Sequence, residues 1–245
     1  MSASIEPFER LMPKAIEHFW AARELAAKNQ KAKGTIDQGN RANVTAGKNL
    51  DGFRDLVREL IIANGLSDFD VFTDGRKMLT IPGYFRPTKN WDLLIVRKNQ
   101  LIAAIEFKSQ VGPSFGNNFN NRVEEALGNA SDIKEAFREE AFLESMKPFV
   151  GYFFVLEDCP DSRKRRKISS PHFPIFPEFR NTGYANRYEI LCRRLVQEQL
   201  YDAVALVMTP QQMSPRWSDL SELTSARRFA INLAGKISSI SLECP

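Results

Sequence analysis

The sequence predicts an α/β fold, a mixed β-sheet with helices on both faces. Three observations carry this. The stretch "WDLLIVRKNQLIAAIEFKS" (91–109) reads as an antiparallel hairpin of mostly apolar strands. Two later runs, "FVGYFFVLE" (149–157) and "DAVALVMT" (202–209), are apolar on both faces, as buried strands are. Segments of helical periodicity separate these strands, so they join through helical crossovers. With 245 residues, 43% of them hydrophobic, the chain can bury a full core.

The elements follow in order. In "PFERLMPKAIEHFWAARELAAKN" (7–29), Phe8, Leu11, Met12, Ala15, Ile16 and Phe19 recur at helical spacing. Residues 31–48 turn small and polar without an apolar face and read as a loop or arm. A second helix in "LDGFRDLVRELIIANG" (50–65) points Phe53, Leu56, Val57, Leu60 and Ile61 inward and stops at Asn64-Gly65. Short strands are expected at "DFDVFT" (68–73) and "KMLTI" (77–81), ahead of the hairpin. "QVGPSFGNNFNN" (110–121) reads as a loop, followed by a long helix to about Glu144 carrying Val123, Ala126, Leu127, Ala130, Ile133 and Phe137 on one side. A segment rich in Pro, Ser and basic residues (158–186), a helix near 185–200 and a C-terminal helix in "LTSARRFAINLAGKIS" complete the chain. We read a single domain overall, with an N-terminal helix and polar arm (1–48) as an extension of a core spanning 49–245 with its C-terminal helices.

Composition excludes several classes. Cys159, Cys192 and Cys244 are far apart, and only His18 and His172 are present, so neither a disulfide framework nor a zinc site is signalled. No run of 18 apolar residues and no signal-peptide core occur, so no membrane partner and a cytoplasmic location are expected. The net charge of +4 permits an anionic partner without demanding one.

Against that background the hairpin is unusual, because strands built for burial carry Asp92, Glu106 and Lys108. Glu106 and Lys108 share one strand face with Ile102 and Ala104, opposite Leu101, Ala103, Ile105 and Phe107. With a three-residue turn at Lys98-Asn99-Gln100, Arg97 pairs with Leu101 and Asp92 falls opposite Glu106; a two-residue turn would put Asp92 on the wrong face. Cross-strand partners lie about 4.5–5.5 Å apart at Cβ. Two carboxylates so close repel unless a hard divalent cation such as Mg²⁺ joins them. The lysine can then orient or help deprotonate a water attacking phosphorus. The ordinary alternative is a capping aspartate and an exposed Glu–Lys pair at a sheet edge. Apolar flanks and the position at strand ends before a Gly/Asn loop favour the metal site.

This arrangement resembles the PD-(D/E)xK nuclease superfamily, with Asp92 as first acid and "EFK" (Glu106, Lys108) as second half; Trp91 stands where a proline is usual. A closer resemblance is to the XhoI family of type II restriction endonucleases, carried by "NLDGF" (49–53), "LTIPGYFRPTKNWD" (79–92), "EFKSQVGPSFGNNFNNRVEEALG" (106–128), "SSPHFPIFPEF" (169–179) and "RYEILCRR" (187–194). The resemblance implies a restriction-endonuclease-like core and a homodimeric, Mg²⁺-dependent enzyme. It would cut double-stranded DNA at the palindrome CTCGAG to leave 5′-phosphate ends, beside a cognate methyltransferase as functional partner. It also implies Asp92, Glu106 and the backbone carbonyl of Phe107 as metal ligands. Asp51, Asp55 and Glu59 are candidates for a third carboxylate; the "NLDGF" match favours Asp51, and helix capping is its alternative role.

For DNA contact the candidates are Ser114, Asn117, Asn118, Asn120, Asn121 and Arg122, directly after the catalytic strand, since Asn reads adenine edges and Arg guanine. Turn formation and a helix cap at Asn120 or Asn121 are the ordinary reading. The run "RKRRK" offers Arg163, Arg165 and Arg166 to phosphates, or is a solvated loop. Arg76, Lys77, Arg86 and Lys89 flank the catalytic strand; Lys89 is the candidate phosphate clamp, and Tyr84 and Phe85 are assigned to the core. Two other functions stay open at this level: a sequence-independent repair or recombination nuclease, and a DNA-binding module without activity.

Overall fold

In the computed structural model of the protein, residues 3–32, 48–143, 145–212 and 214–243 are described. Two antiparallel pairings and two parallel ones make a five-stranded mixed sheet around the long β5 (Gln100–Gln110). β4 (Leu93–Arg97) pairs with it antiparallel, and β1 (Val71–Phe72) pairs antiparallel with β4. On the other side β6 (Phe149–Glu157) runs parallel to β5, and β7 (Ala203–Thr209) parallel to β6. The spatial order is β1-β4-β5-β6-β7, so "FVGYFFVLE" is a central strand, as its two apolar faces require.

Each sheet face carries its own core. On one face lie α1 (Glu6–Ala32), α2 (Asp51–Ala63) and α6 (Ala226–Glu243). Their apolar stripes meet through rings: Phe19 on Phe53 (6.2 Å between centroids), Phe53 on Phe153 (5.3 Å) and Phe153 on Phe229 (5.5 Å). Truncating one such fully buried ring costs about 3–5 kcal/mol. The opposite face holds α3 (Phe115–Arg138) and α5 (Tyr184–Gln197), where Phe154 of β6 meets Tyr188 at 4.5 Å and Tyr188 meets Phe119 at 5.1 Å. Phe115 stacks on Tyr184 at 5.8 Å. A Cβ at Gly116 would come within 2.7 Å of the Tyr184 hydroxyl, so glycine permits this close approach of α3 to α5.

Several expectations need correction. The β4–β5 turn has two residues, Lys98 and Asn99, both with positive φ (48° and 63°), the geometry that suits the twist of a hairpin. Arg97 pairs with Gln100 and Val96 with Leu101, but Ile95 pairs with Ala103. Ile102 is therefore an extra residue, a β-bulge. It restores the register lost at the turn, so the ladder ends with Leu93 facing Ile105, and one more step along that register puts Asp92, just before β4, opposite Glu106. The bulge also exchanges two neighbours: Ile102 joins the α1/α2/α6 core, and Leu101 packs on the α3/α5 side.

The Asn-rich stretch is not a loop. α3 begins at Phe115 with Ser114 as N-cap, so Asn117, Asn118, Asn120, Asn121 and Arg122 lie in its first turns and none of the asparagines caps it. The helix ends at Arg138 rather than near Glu144, which lies outside the described residues. A short hairpin of β2 (Thr80–Pro82) and β3 (Thr88–Asn90) forms a separate sheet, and its second strand was not foreseen. At its tip Tyr84 and Phe85 are 48% and 69% exposed, against their assignment to the core. The tip is tied to α3: the N–H groups of Tyr84 and Phe85 each donate to Asp132 Oδ1 at 2.8 Å, and Arg86 Nε donates to Oδ2 at 2.7 Å. Of the polar segment 31–48, Lys31 and Ala32 end α1 and Lys48 opens a 3-10 turn to Leu50; residues 33–47 lie outside the described residues. No helix among the described residues is long and apolar enough to cross a membrane.

Candidate active site

The site forms where β5 leaves the sheet and α3 begins. Asp92 stands just before β4 and Glu106 near the middle of β5, and pairing of the two strands faces one toward the other. Asp92 Oδ2 accepts the N–H of Phe107 at 2.8 Å, which fixes the carboxylate against the edge of β5. Glu106 is only 2% exposed. Such a carboxylate is tolerated only with charge partners, and it has two. Lys108 Nζ donates to Oε1 in a short contact, and Lys89 Nζ, from β3, donates to Oε2 at 2.9 Å. Lys108 Nζ also stands 4.0 Å from Asp92 Oδ2.

Proton affinities follow from this geometry. Burial, and then the charge of Glu106, push Asp92 above the usual carboxylate range. Burial would push Glu106 the same way, but the ammoniums of Lys108 and Lys89 outweigh it and hold Glu106 below its ordinary value. Lys108 is lowered by burial and raised more by Glu106 and Asp92, so it stays protonated.

In front of these groups opens a polar cleft of about 460 Å³. Asp92, Phe107 and Lys108 form its floor, and α3 supplies one wall with Asn118, Asn121, Arg122 and Glu125. Spaced i, i+3, i+4 and i+7, these four lie on one helix face. Arg23 of α1 and Arg54 of α2 close the other side. Four basic groups, Arg23, Arg54, Lys108 and Arg122, thus line one cleft against two acids, which suits a polyanion.

The sequence candidates divide accordingly. Asp92, Glu106 and Lys108 come together, and Phe107, Ser114, Asn118, Asn121 and Arg122 line the same cleft. Asn120 is exposed and does not line it, and the side chain of Asn117 lies outside the described residues. Asp51 is the first residue of α2, not its cap, and its carboxylate is bound to Arg54. Among the described residues no group of three or more His, Cys, Asp or Glu side chains could hold a metal ion. Lys89, the candidate phosphate clamp, donates to Glu106 in this structure. In the basic run, Arg163 is paired with Asp158, and Arg166 lies over the Tyr184 ring at 5.3 Å, beside the start of α3. Arg23, Arg54 and Glu125 were not foreseen. Glu125 follows from the helix face once α3 is started at Phe115, and Arg54 from its spacing to Asp51; nothing local marks Arg23, which is brought in by the packing of α1.

Comparison with known proteins agrees with this geometry. Residues 29–220 match the family model for restriction endonuclease XhoI. The chain is 52% identical over 75% of its length to type II restriction enzyme BstVI of Geobacillus stearothermophilus, covering 83% of that protein. It is 44% identical over 80% of its length to type II restriction enzyme XhoI of Xanthomonas vasicola, covering 78% of it. For type II restriction enzyme AbrI of Azospirillum brasilense the values are 50%, 71% and 77%. No solved structure matches the chain at a significant level. The acid pair, its lysine and all of the cleft lining except Arg23 fall inside the matched span, and the chain belongs to the XhoI family of type II restriction endonucleases, site-specific deoxyribonucleases that act on double-stranded DNA.

Proposed function

We propose that this endonuclease cuts the palindrome CTCGAG as a Mg²⁺-dependent homodimer, with Asp92, Glu106 and Lys108 as its catalytic residues. The observation that carries the reading is that these three side chains meet at a basic cleft of about 460 Å³, with Asp92 and Lys108 lining it and Glu106 enclosed against Lys108. The donors fit a hard cation: strand register brings Asp92 and Glu106 to one spot, and burial, followed by the charge of Glu106, raises the proton affinity of Asp92. With only two carboxylates at hand, the Phe107 carbonyl, waters and the substrate phosphate would complete the oxygen set that Mg²⁺ prefers. When bound, the cation supplies Lewis-acid stabilisation of the charge that builds on the reacting phosphate.

The remaining work falls to the chain itself. Lys108, held protonated by its two acids, donates to the attacking water or to a phosphate oxygen and keeps that water in line. Water adds to phosphorus as the bond to the 3′ oxygen breaks, which leaves a 5′ phosphate and a 3′ hydroxyl. Arg23, Arg54 and Arg122 neutralise the backbone around the cut. Asn118 and Asn121 reach toward base edges from the cleft wall, and Arg165 and Arg166 add phosphate contacts.

A palindrome presents two equivalent half-sites, so a two-fold dimer matches both with one surface. Because the site recurs in any genome, a cognate methyltransferase is its functional partner. The test is to incubate the protein with plasmid and Mg²⁺ and to sequence the ends, with light scattering on the same preparation. Discrete cuts at CTCGAG by a dimer are expected. Cuts without a common sequence would refute the site assignment, and monomers both free and on DNA would refute the dimer.

A further inference from the structure

Glu106 cannot take up a cation in the arrangement described, because both of its carboxylate oxygens already face ammonium groups. Lys108 holds Oε1 and Lys89 holds Oε2. The carboxylate is almost fully enclosed, so a third group gains access only if one lysine leaves. The two lysines are held differently. Lys108 stands between both acids and lines the cleft. Lys89 meets one acid; its other contacts are neutral and local, the carbonyl of Asn90 at 2.5 Å and the ring of Trp91 at 5.0 Å. Displacing Lys89 therefore breaks one ionic contact, whereas displacing Lys108 disturbs two.

Charge balance points to the same lysine. Asp92 and Glu106 against Lys89 and Lys108 cancel, so the enclosed cluster is neutral. Adding a divalent cation with both lysines in place would leave it strongly positive. If Lys89 departs and one phosphate of the substrate enters, two carboxylates and a phosphate face Lys108 and the cation, and the cluster is neutral again.

We propose that Lys89 is a placeholder for the metal: it occupies Glu106 until a divalent cation displaces it, and the released ammonium passes to the DNA backbone. This rests on the reading of Glu106 as a metal ligand. Lys89 then couples the two binding events, since each makes room or charge for the other. Trp91, at the position where the superfamily usually has proline, fits this role as a neutral platform against which the lysine parks.

The test is calorimetric titration of the full-length, DNA-free protein with Ca²⁺, comparing wild type, Lys89→Met, Lys89→Arg and Glu106→Gln. Melting curves with and without Ca²⁺ would verify that each variant is folded. Removing the competing ammonium should tighten Ca²⁺ binding at least tenfold in Lys89→Met, while Lys89→Arg keeps the charge and the wild-type affinity. A second measurement is the gain in CTCGAG-duplex affinity on adding Ca²⁺, which Lys89→Met should reduce. If Glu106→Gln abolishes saturable Ca²⁺ binding but Lys89→Met binds no tighter than wild type, the placeholder role is refuted and the metal site stands. If Glu106→Gln titrates like wild type, the metal reading fails and the placeholder role with it. Tighter Ca²⁺ binding with an unchanged gain in DNA affinity would refute the transfer to DNA.

Discussion

Asp132 offers the sharpest test of how the β2–β3 tip is held against α3. Its carboxylate is 3% exposed and accepts three hydrogen bonds, from the N–H groups of Tyr84 and Phe85 and from Arg86 Nε. Those bonds, led by the one from Arg86, outweigh its burial and keep its proton affinity below the ordinary aspartate value. Asp132→Ala removes all three. A hydrogen bond to a charged group contributes about 1.5–3 kcal/mol. Two of the donors sit under exposed side chains and regain water once the tip lifts, so the net cost falls nearer 3 kcal/mol than the full sum, on the order of one charged bond plus a discounted pair. For a chain of this size that lowers Tm by about 6–12 °C. Asp132→Asn keeps an oxygen for both backbone donors and loses only the ionic share of Arg86, so about a third of the effect is expected. Gly83→Ala attacks the same clamp from the other side, because a Cβ there would lie 2.7 Å from both Arg86 O and Asp132 Oδ2. Differential scanning calorimetry gives the Tm values, and amide exchange over residues 83–86 reports the tip directly. An Asp132→Ala protein melting within about 1 °C of wild type would show that the clamp carries no net stability, and the reasoning would fail.

Asp92→Ala and Lys108→Ala should abolish cleavage with Tm little changed. Glu106→Ala should also unfold more readily in metal-free buffer, by about 3 kcal/mol or more, because it strands two ammoniums around a buried spot; equal melting of all three would contradict this. Asn121→Ala should slow CTCGAG cleavage by about ten- to a hundredfold, with one-base-altered duplexes affected less, whereas Asn120→Ala should have a smaller effect. Neutralising Arg165 should weaken binding to every sequence and flatten its salt dependence more than neutralising Arg163, whose charge is spent on Asp158; titrations from low to high salt would read the difference. Burial raises Asp219 above its ordinary value, although its bond from the Ala226 N–H opposes this. A raised carboxyl stabilises the fold most when protonated and loses that contribution as pH rises through the folded value, so Asp219→Asn should gain stability relative to wild type as pH increases from the acid range. A difference in urea midpoints that stays flat with pH would refute the assignment.

Much of this molecule can be read without coordinates because its main signals are local. The apolar runs at 149–157 and 203–209 become β6 and β7, and the stripe Phe8–Phe19 becomes the buried face of α1. The acid pair was legible because charges inside an apolar hairpin are costly unless they act. What failed was of two kinds. Asn and Gly at 116–121 favour a loop by local propensity, but Phe115 and Phe119 pack on Tyr184 and Tyr188 and draw the stretch into a helix; tertiary contact overrides propensity there. Tyr84 and Phe85 suggest core residues in the sequence, yet their rings are exposed and their backbone is what Asp132 holds. The position of Arg23 depends on an element far away in sequence and leaves no local mark, and Lys89 stands out in the sequence while its pairing with Glu106 does not.

The bulge at Ile102 makes the proposed active site a matter of parity. A two-residue turn alone would aim Asp92 and Glu106 at opposite faces, and the single extra residue in β5 cancels that error. Turn and bulge are therefore one feature divided between two places, and neither length can change alone. Lengthening the turn by one residue is harmless only if Ile102 is deleted with it, and a lone insertion would part the two acids and set the apolar residues of one strand against the wrong core. Drift of this hairpin over evolutionary time, and its redesign at the bench, must proceed in paired or even steps. A relative with a three-residue turn and a regular ladder would present the same chemistry from a visibly different backbone.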